Sequence, residues 1–237
     1  MTVSASASIA HRQLALQPAY ATREPTLDLE QRLAKAALRR VEAKELVFAE
    51  GDPTTHIYKI ETGAVCLYKV LSDGRRQVLG FAYPGDLIGL GAQGEHFMNA
   101  QAMKPTRLRS LPISILKQIA SQDPRLGYKL YQVLAEELAA TRDLMLTTGQ
   151  RSAVERVAAF LVALSRRNER NGLAPETIDL PMTRSDIADF LGLTIETVSR
   201  TLTKLRMSGI VDLPQSAHVH LLETERLQHL ADGEDHL

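Results

Sequence analysis

The period of the apolar positions changes along the chain. From about Leu46 to Leu111 they fall in short runs such as Ile57–Ile60, Val65–Val70 and Gln77–Phe81. Gly51-Asp52, Gly63, Asp73-Gly74 and Pro84-Gly85-Asp86 punctuate them. Short runs with turn chemistry at this spacing predict an antiparallel sandwich or barrel, and Asp-Gly between two runs predicts a hairpin. From Pro124 the period becomes helical. Leu126, Leu130, Leu134, Leu138, Thr141, Met145 and Thr148 form a stripe with spacings near 3.5, a seam suited to a second copy or to the chain's own sheet. Gly149 marks a break, after which Val154, Val157, Phe160, Leu161 and Leu164 open a second helical segment. Arg167–Pro175 reads as a polar loop, and helical patterning also begins around Leu27–Val41. Ahead of it lies a Ser-, Ala- and Thr-rich arm, expected to be poorly ordered.

The most informative stretch is Thr183–Leu205, TRSDIADFLGLTIETVSRTLTKL. Thr183 and Asp186 have capping-box spacing, which starts a helix burying Ile187, Phe190 and Leu191. Gly192 suits a tight or left-handed turn, and Thr194 can cap the next helix. There Ile195, Val198, Leu202 and Leu205 make one apolar stripe. Glu196, Ser199 and Arg200 lie off that stripe as i, i+3 and i+4, and so share an exposed face.

A helix in the major groove reads base edges with a few side chains near its N-terminus. Arginine can grip guanine at O6 and N7, glutamate can accept from the cytosine amino group, and serine can serve either base. Thr183, Arg184, Thr194, Thr197, Thr201 and Lys204 surround the trio as candidates for phosphate contact, which positions a protein without reading sequence. The alternative is an ordinary helical hairpin with a Glu196–Arg200 salt bridge, and the local pattern leaves both open. Beyond it, Gly209–Leu213 and His218–Leu222 flank Pro214-Gln215-Ser216 and read as a β-hairpin, the wing of a winged helix-turn-helix.

LGLTIETVSRTLTKL, preceded by MTRSDIADF, resembles the helix-turn-helix of the CRP/FNR superfamily of bacterial transcription regulators. The E-T-V-S-R core is closer to the FNR and FixK branches than to the CRP branch. The resemblance extends over roughly residues 40–222. It implies that Glu196, Ser199 and Arg200 read bases in a two-fold TTGA-N6-TCAA-like site. It also implies that the strand-rich segment is a cyclic-nucleotide-binding-like β-roll. The Leu130, Leu134, Leu138, Thr141 and Met145 stripe then becomes the seam of a homodimer. The expected fold is α+β: a β-roll (a double-stranded β-helix or jelly roll), a long dimerisation helix and a C-terminal winged helix-turn-helix. The expected division is an N-terminal arm 1–26, roll 27–123, dimerisation helix 124–149, DNA-binding domain 150–223 and polar tail 224–237.

Charge narrows the picture. Lys and Arg number 28, as do Asp and Glu, which argues against tight non-specific coating of DNA. Arg151, Arg156, Arg166, Arg167 and Arg170 are the one basic concentration, either a solvated helix face or a phosphate contact. No apolar run reaches the roughly 20 residues of a membrane helix, and the single cysteine suits the cytoplasm, so a cytoplasmic location without membrane partners is expected. No Ser-His-Asp pattern, Walker loop, HExxH or CxxC cluster supports an enzyme.

Ligand chemistry is thin. The superfamily's phosphate cassette pairs Gly-Glu with a following arginine. Here Gly94-Glu95 stands without any Arg or Lys between Arg76 and Lys104, so a cyclic nucleotide is not expected. An FNR-type iron–sulfur cluster needs four cysteines and is excluded by a chain with one. Cys66 is a buried small hydrophobe by default and a redox switch as the alternative. His56, His96 and Cys66 are formal haem ligands without a supporting pattern, which leaves haem open. His218 and His220 share a strand face but lack an evident third metal ligand. The expected function is a FixK-like, dimeric DNA-binding activator that recruits RNA polymerase in low-oxygen, respiratory or nitrogen-fixation control. A regulator gated directly by haem, nitric oxide or a small ligand is the second reading. An enzyme-regulatory module carrying the same roll is the reading from another class.

Overall fold

A computed structural model describes residues 27–91 and 94–236 of the chain. The expected arm, residues 1–26, lies outside them. Helix α1 (Leu27–Lys35) leads into eight strands: β1 (Ala37–Val41), β2 (Leu46–Phe48), β3 (His56–Thr62), β4 (Val65–Val70), β5 (Arg76–Ala82), β6 (Leu87–Ile88), β7 (Asn99–Ala102) and β8 (Thr106–Pro112). They form two antiparallel sheets, ordered β1-β8-β3-β6 and β2-β7-β4-β5. Their inner faces enclose Val41, Val47, Phe48, Ile60, Val65, Leu67, Ile88 and Leu108. Alternation drives this: along β8 the even positions Thr106 and Leu108 are buried and the odd Arg107 is exposed. Asp73-Gly74 turns between β4 and β5 as expected. Gly63, at φ 99°, turns between β3 and β4, and a Cβ there would stand 2.6 Å from the Thr106 Cα. The helical patterning over Leu27–Val41 is corrected. The helix stops at Lys35, and Ala37–Val41 pairs antiparallel with β8 because its backbone completes that sheet's edge.

Helix α2 (Ile113–Gln122), which the sequence pattern missed, follows β8 directly. Its Leu116 and Ile119 pack with Leu29 and Leu33 of α1 on the outer side of the sheet, over Ile57, Leu87 and Leu111. Helix α3 (Pro124–Gln150) is 27 residues long and joins that cluster through Leu126. No helix among the described residues is long and apolar enough to cross a membrane.

The C-terminal part comprises α4 (Ala153–Arg170), β9 (Thr177–Asp179), α5 (Arg184–Leu191), α6 (Ile195–Met207), β10 (Val211–Gln215), β11 (His218–Leu221) and α7 (Thr224–Asp232). Ser152 and Glu155 close a capping box at the start of α4, a few residues past the expected break at Gly149. The strands form a sheet ordered β10-β11-β9, and the wing turn sits on Ser216-Ala217, one step later than Pro214-Gln215-Ser216. Two expectations are corrected. Arg167–Pro175 is not all loop, since α4 continues to Arg170. The segment 224–237 is not simply a polar tail: Leu227, Leu230 and Ala231 are buried in the core that includes α4, and their three-residue stripe is short enough to be hidden by charged neighbours.

That core does not stop at the domain boundary. Cys66, Val78 and Phe81 of the roll belong to the same apolar cluster as Phe160, Phe190, Val198 and Leu205. Phe81 meets Phe190 and Phe160 at ring-centroid distances of 5.4 and 6.3 Å. The outer face of β4 and β5 is therefore the surface on which the C-terminal domain rests.

Candidate nucleic-acid interface

Helices α5 and α6 are set by local chemistry. Thr183 Oγ1 accepts from the Asp186 N–H at 3.1 Å, while Asp186 Oδ2 accepts from the Thr183 N–H at 2.9 Å. Gly192 ends α5 at φ 65°, a left-handed conformation that L side chains rarely adopt. Thr194 Oγ1 accepts from the Thr197 N–H at 3.2 Å and caps α6. Beneath the helix, Val198, Leu202 and Leu205 are buried. Ile195 is not; it is half exposed at the N-terminal end, so the apolar stripe begins one turn later than its sequence suggests.

Glu196, Ser199 and Arg200 stand together on the solvent face of α6. The Glu196 carboxyl lies below its ordinary value because its own backbone N–H and the Thr194 hydroxyl hydrogen bond to it, with Arg200 adding attraction. It is thus an acceptor at neutral pH, beside a donor fork and a hydroxyl. Lys204 and Thr183 are exposed nearby, and the Thr194 and Thr197 hydroxyls share a bond of 3.0 Å. Arg184 reaches the wing, where its Nη2 donates to the Ser216 carbonyl at 3.0 Å. Thr201 is corrected: at 4% exposure it faces the core, one position off the exposed side, and cannot reach a phosphate.

The basic concentration resolves into structural partners. Arg156 donates to the Arg151 and Leu191 carbonyls at 2.9 and 3.1 Å, which ties α4 to the end of α5. Arg166 donates to Gln228 on α7 at 2.8 Å. Arg167 is buried, donates to Asp86 of the roll at 2.9 Å and stacks over Tyr83 at 4.6 Å. None of these three is a solvated helix face or a free phosphate ligand.

On α3, Leu134 and Leu138 are 54% and 51% exposed, Tyr128 and Tyr131 stack in the open at 6.3 Å, and Leu130 is half-buried against the roll. Thr141 is exposed, and the Met145 side chain lies outside the described residues. Contiguous apolar exposure of this kind marks an interaction surface.

In the roll, Arg107 and Arg109 both pair with Glu61, whose carboxyl they hold below its ordinary value, the Arg109 hydrogen bond leading. They are therefore engaged away from Gly94-Glu95. His96 packs flat on Phe48 at 3.7 Å, and burial pulls its imidazole down; His56 shares a hydrogen bond with Thr55. Cys66 is buried, its thiol pushed up to about 12 by burial, with Arg76 Nη2 donating to Sγ at 3.1 Å. That environment favours the thiol over the reactive thiolate. His218 pairs with Asp179 at 2.6 Å and His220 contacts Thr177 at 3.4 Å, so the two histidines have separate partners. Among the described residues no group of three His, Cys, Asp or Glu side chains is placed to hold a metal ion.

Comparison with known proteins agrees with this geometry. Residues 155–230 match the model of the Crp-like helix-turn-helix domain, and residues 38–123 match the cyclic nucleotide-binding domain. The chain is 41% identical over 187 residues to the nitrogen fixation regulation protein FixK of Bradyrhizobium diazoefficiens, covering 79% of this chain and 78% of that one. It is 40% identical over 189 residues to the transcriptional activatory protein AadR of Rhodopseudomonas palustris, covering 79% and 78%. The solved structure of FixK2 from Bradyrhizobium japonicum superposes with a TM-score of 0.78 at 38% identity, covering 82% of this chain and 96% of that one.

Proposed function

The chain belongs to the CRP/FNR family of transcription regulators, in its FixK-like branch, and from this premise we propose that it binds a two-fold DNA site as a homodimer and activates transcription. The observation that carries the proposal is the exposed Glu196, Ser199 and Arg200 face on a helix whose opposite side buries Val198, Leu202 and Leu205. One such helix touches few bases. A second copy, placed by the apolar row on α3, supplies the other half-site one helical turn away, roughly 34 Å. In a TTGA-N6-TCAA-like site each half offers one G·C pair, with guanine for Arg200 and the cytosine amino group for Glu196. Lys204, Thr183, Arg184, Thr194 and Thr197 set the register on the phosphates.

The relatives are named for activation and for nitrogen fixation, and that supports a cytoplasmic activator that recruits RNA polymerase in low-oxygen or nitrogen-fixation control. The engaged Arg107 and Arg109 support a roll that works without a cyclic nucleotide. The test is a gel shift of ligand-free protein on TTGA-N6-TCAA DNA against a scrambled site, with Arg200→Ala beside the wild type. Each lost bidentate contact removes about 1–3 kcal/mol of discrimination, twice per dimer. Arg200→Ala should therefore lose site preference while its circular dichroism stays normal. Unchanged preference in the folded variant overturns the assignment.

A further inference from the structure

The surface that joins the roll to the DNA-binding domain is not a plain apolar contact. Arg76, the first residue of β5, directs its Nη1 at Asp186 Oδ1 on α5 and lies 3.6 Å from Asp189 Oδ2 one turn later. Its other terminal nitrogen, Nη2, donates to the Cys66 Sγ, and its guanidinium lies 4.2 Å from the Tyr68 ring centroid. The next residue, Gln77, donates from Nε2 to the Asp189 carbonyl at 2.8 Å. Phe81 then packs on Phe190. Strand β5 therefore grips α5 at three points along its length, and Asp186 is the same carboxylate that closes the capping box with Thr183.

Two features set this grip apart from ordinary packing. Partly buried ion pairs add little net stability, because desolvation offsets the attraction, and their best-attested use is to specify one arrangement over another. An arginine fork held on an aromatic face is also directional, and lysine cannot reproduce it. The helix it holds is not the one that reads DNA. Helix α6 follows α5 after only Gly192-Leu193-Thr194, and Val198, Leu202 and Leu205 share the core of α5, so the two move as one piece. The roll, meanwhile, is continuous with α3 through Leu126, Leu116 and Ile119. Turning α5 against β5 therefore turns the recognition helix against the helix that carries the dimer seam.

We infer that Arg76, with Gln77, is a positioning residue for DNA binding: it holds α5 so that the two recognition helices of a dimer meet half-sites at one spacing and not at others. The inference rests on the dimeric DNA-binding reading above. Its guanidinium is occupied by Asp186, Asp189, Cys66 and Tyr68, so it acts through orientation: it sets the fraction of molecules whose two DNA-binding domains are correctly oriented. Apparent affinity falls in proportion to that fraction.

The experiment measures affinity of full-length protein for TTGA-N5-TCAA, TTGA-N6-TCAA and TTGA-N7-TCAA DNA by fluorescence anisotropy. Wild-type protein should prefer N6. In Arg76→Ala the N6 affinity should fall by about tenfold, while N5 and N7 change by less, so that the spacing preference collapses. Arg76→Lys keeps the charge beside Asp186 and Asp189 but not the fork, and so should recover only a minor part of it. Asp189→Ala should weaken the preference, and Arg76→Ala/Asp189→Ala should be no worse than Arg76→Ala alone. Should Arg76→Ala fail to fold, Gln77→Leu carries the same test through the lost bond to the Asp189 carbonyl. A variant weakened equally at all three spacings, or one that keeps the wild-type ratio, overturns the inference and leaves DNA binding standing. Wild-type protein that does not prefer N6 to scrambled DNA overturns both.

Discussion

Replacing Arg167 with alanine isolates the second polar tie between the domains. Arg167 and Asp86 have side-chain exposures of 8% and 5%, and their hydrogen bond is 2.9 Å. Asp86 also accepts from the Tyr83 N–H at 2.8 Å, which shapes the turn before β6. Burial raises the Asp86 carboxyl above its ordinary value, and the Arg167 guanidinium opposes that rise. Removing the cation leaves a buried carboxylate uncompensated, which costs about 3–5 kcal/mol. At 2–4 °C per kcal/mol for a chain of this size, the melting transition should fall by roughly 6–20 °C. The loss has a pH signature. Without Arg167 the Asp86 carboxyl rises further, and a carboxyl with a folded-state value above its unfolded value loses stabilisation as pH rises through it. The Arg167→Ala penalty should therefore be smaller near pH 5 than near pH 8. Arg167→Met with Asp86→Asn strands no charge and keeps an acceptor for Tyr83, so it should recover at least half of the loss. Scanning calorimetry of the three proteins at both pH values is the assay. A shift below about 3 °C for Arg167→Ala, equal at both pH values, refutes the reasoning.

Three further outcomes are expected. Leu138→Asp places a charge in the exposed apolar row of α3, and should give monomers by sedimentation and no operator binding; intact dimers would remove the seam from this helix. Cys66 has its thiol raised from 9.0 to about 12, so its stabilisation is complete below the lower value and lost as pH climbs through the upper one. Guanidinium midpoints at about pH 8 and 10.5 should converge in Cys66→Ala relative to wild type, and an unchanged alkaline slope would contradict the buried-thiol account. Thr183→Ala removes the cap of α5 and a partner of Asp186, and should destabilise by about 1 kcal/mol in urea; no loss would mean that the capping box is not stabilising.

The legible parts of this protein were those specified within a few residues. Thr183 and Asp186 are three apart, Gly192 can adopt its turn conformation without a Cβ, and Val198, Leu202 and Leu205 recur at helical period. Each signal acts through local backbone geometry, so the sequence by itself determined the helix-turn-helix, the punctuation of the roll and the exposed face of Glu196, Ser199 and Arg200. What it could not show is where a side chain goes once distant elements meet. Arg167 stands among other arginines and is indistinguishable from them until Asp86, 81 residues away, is brought beside it. Arg76 finds Asp186 across 110 residues, and nothing in the roll's alternation marks that contact. Thr201 sits next to Arg200, yet one step around the helix puts it in the core. Tertiary structure decided these roles because burial and ion pairing depend on the surface that arrives, and the order of residues along a strand or helix fixes only the face that is offered.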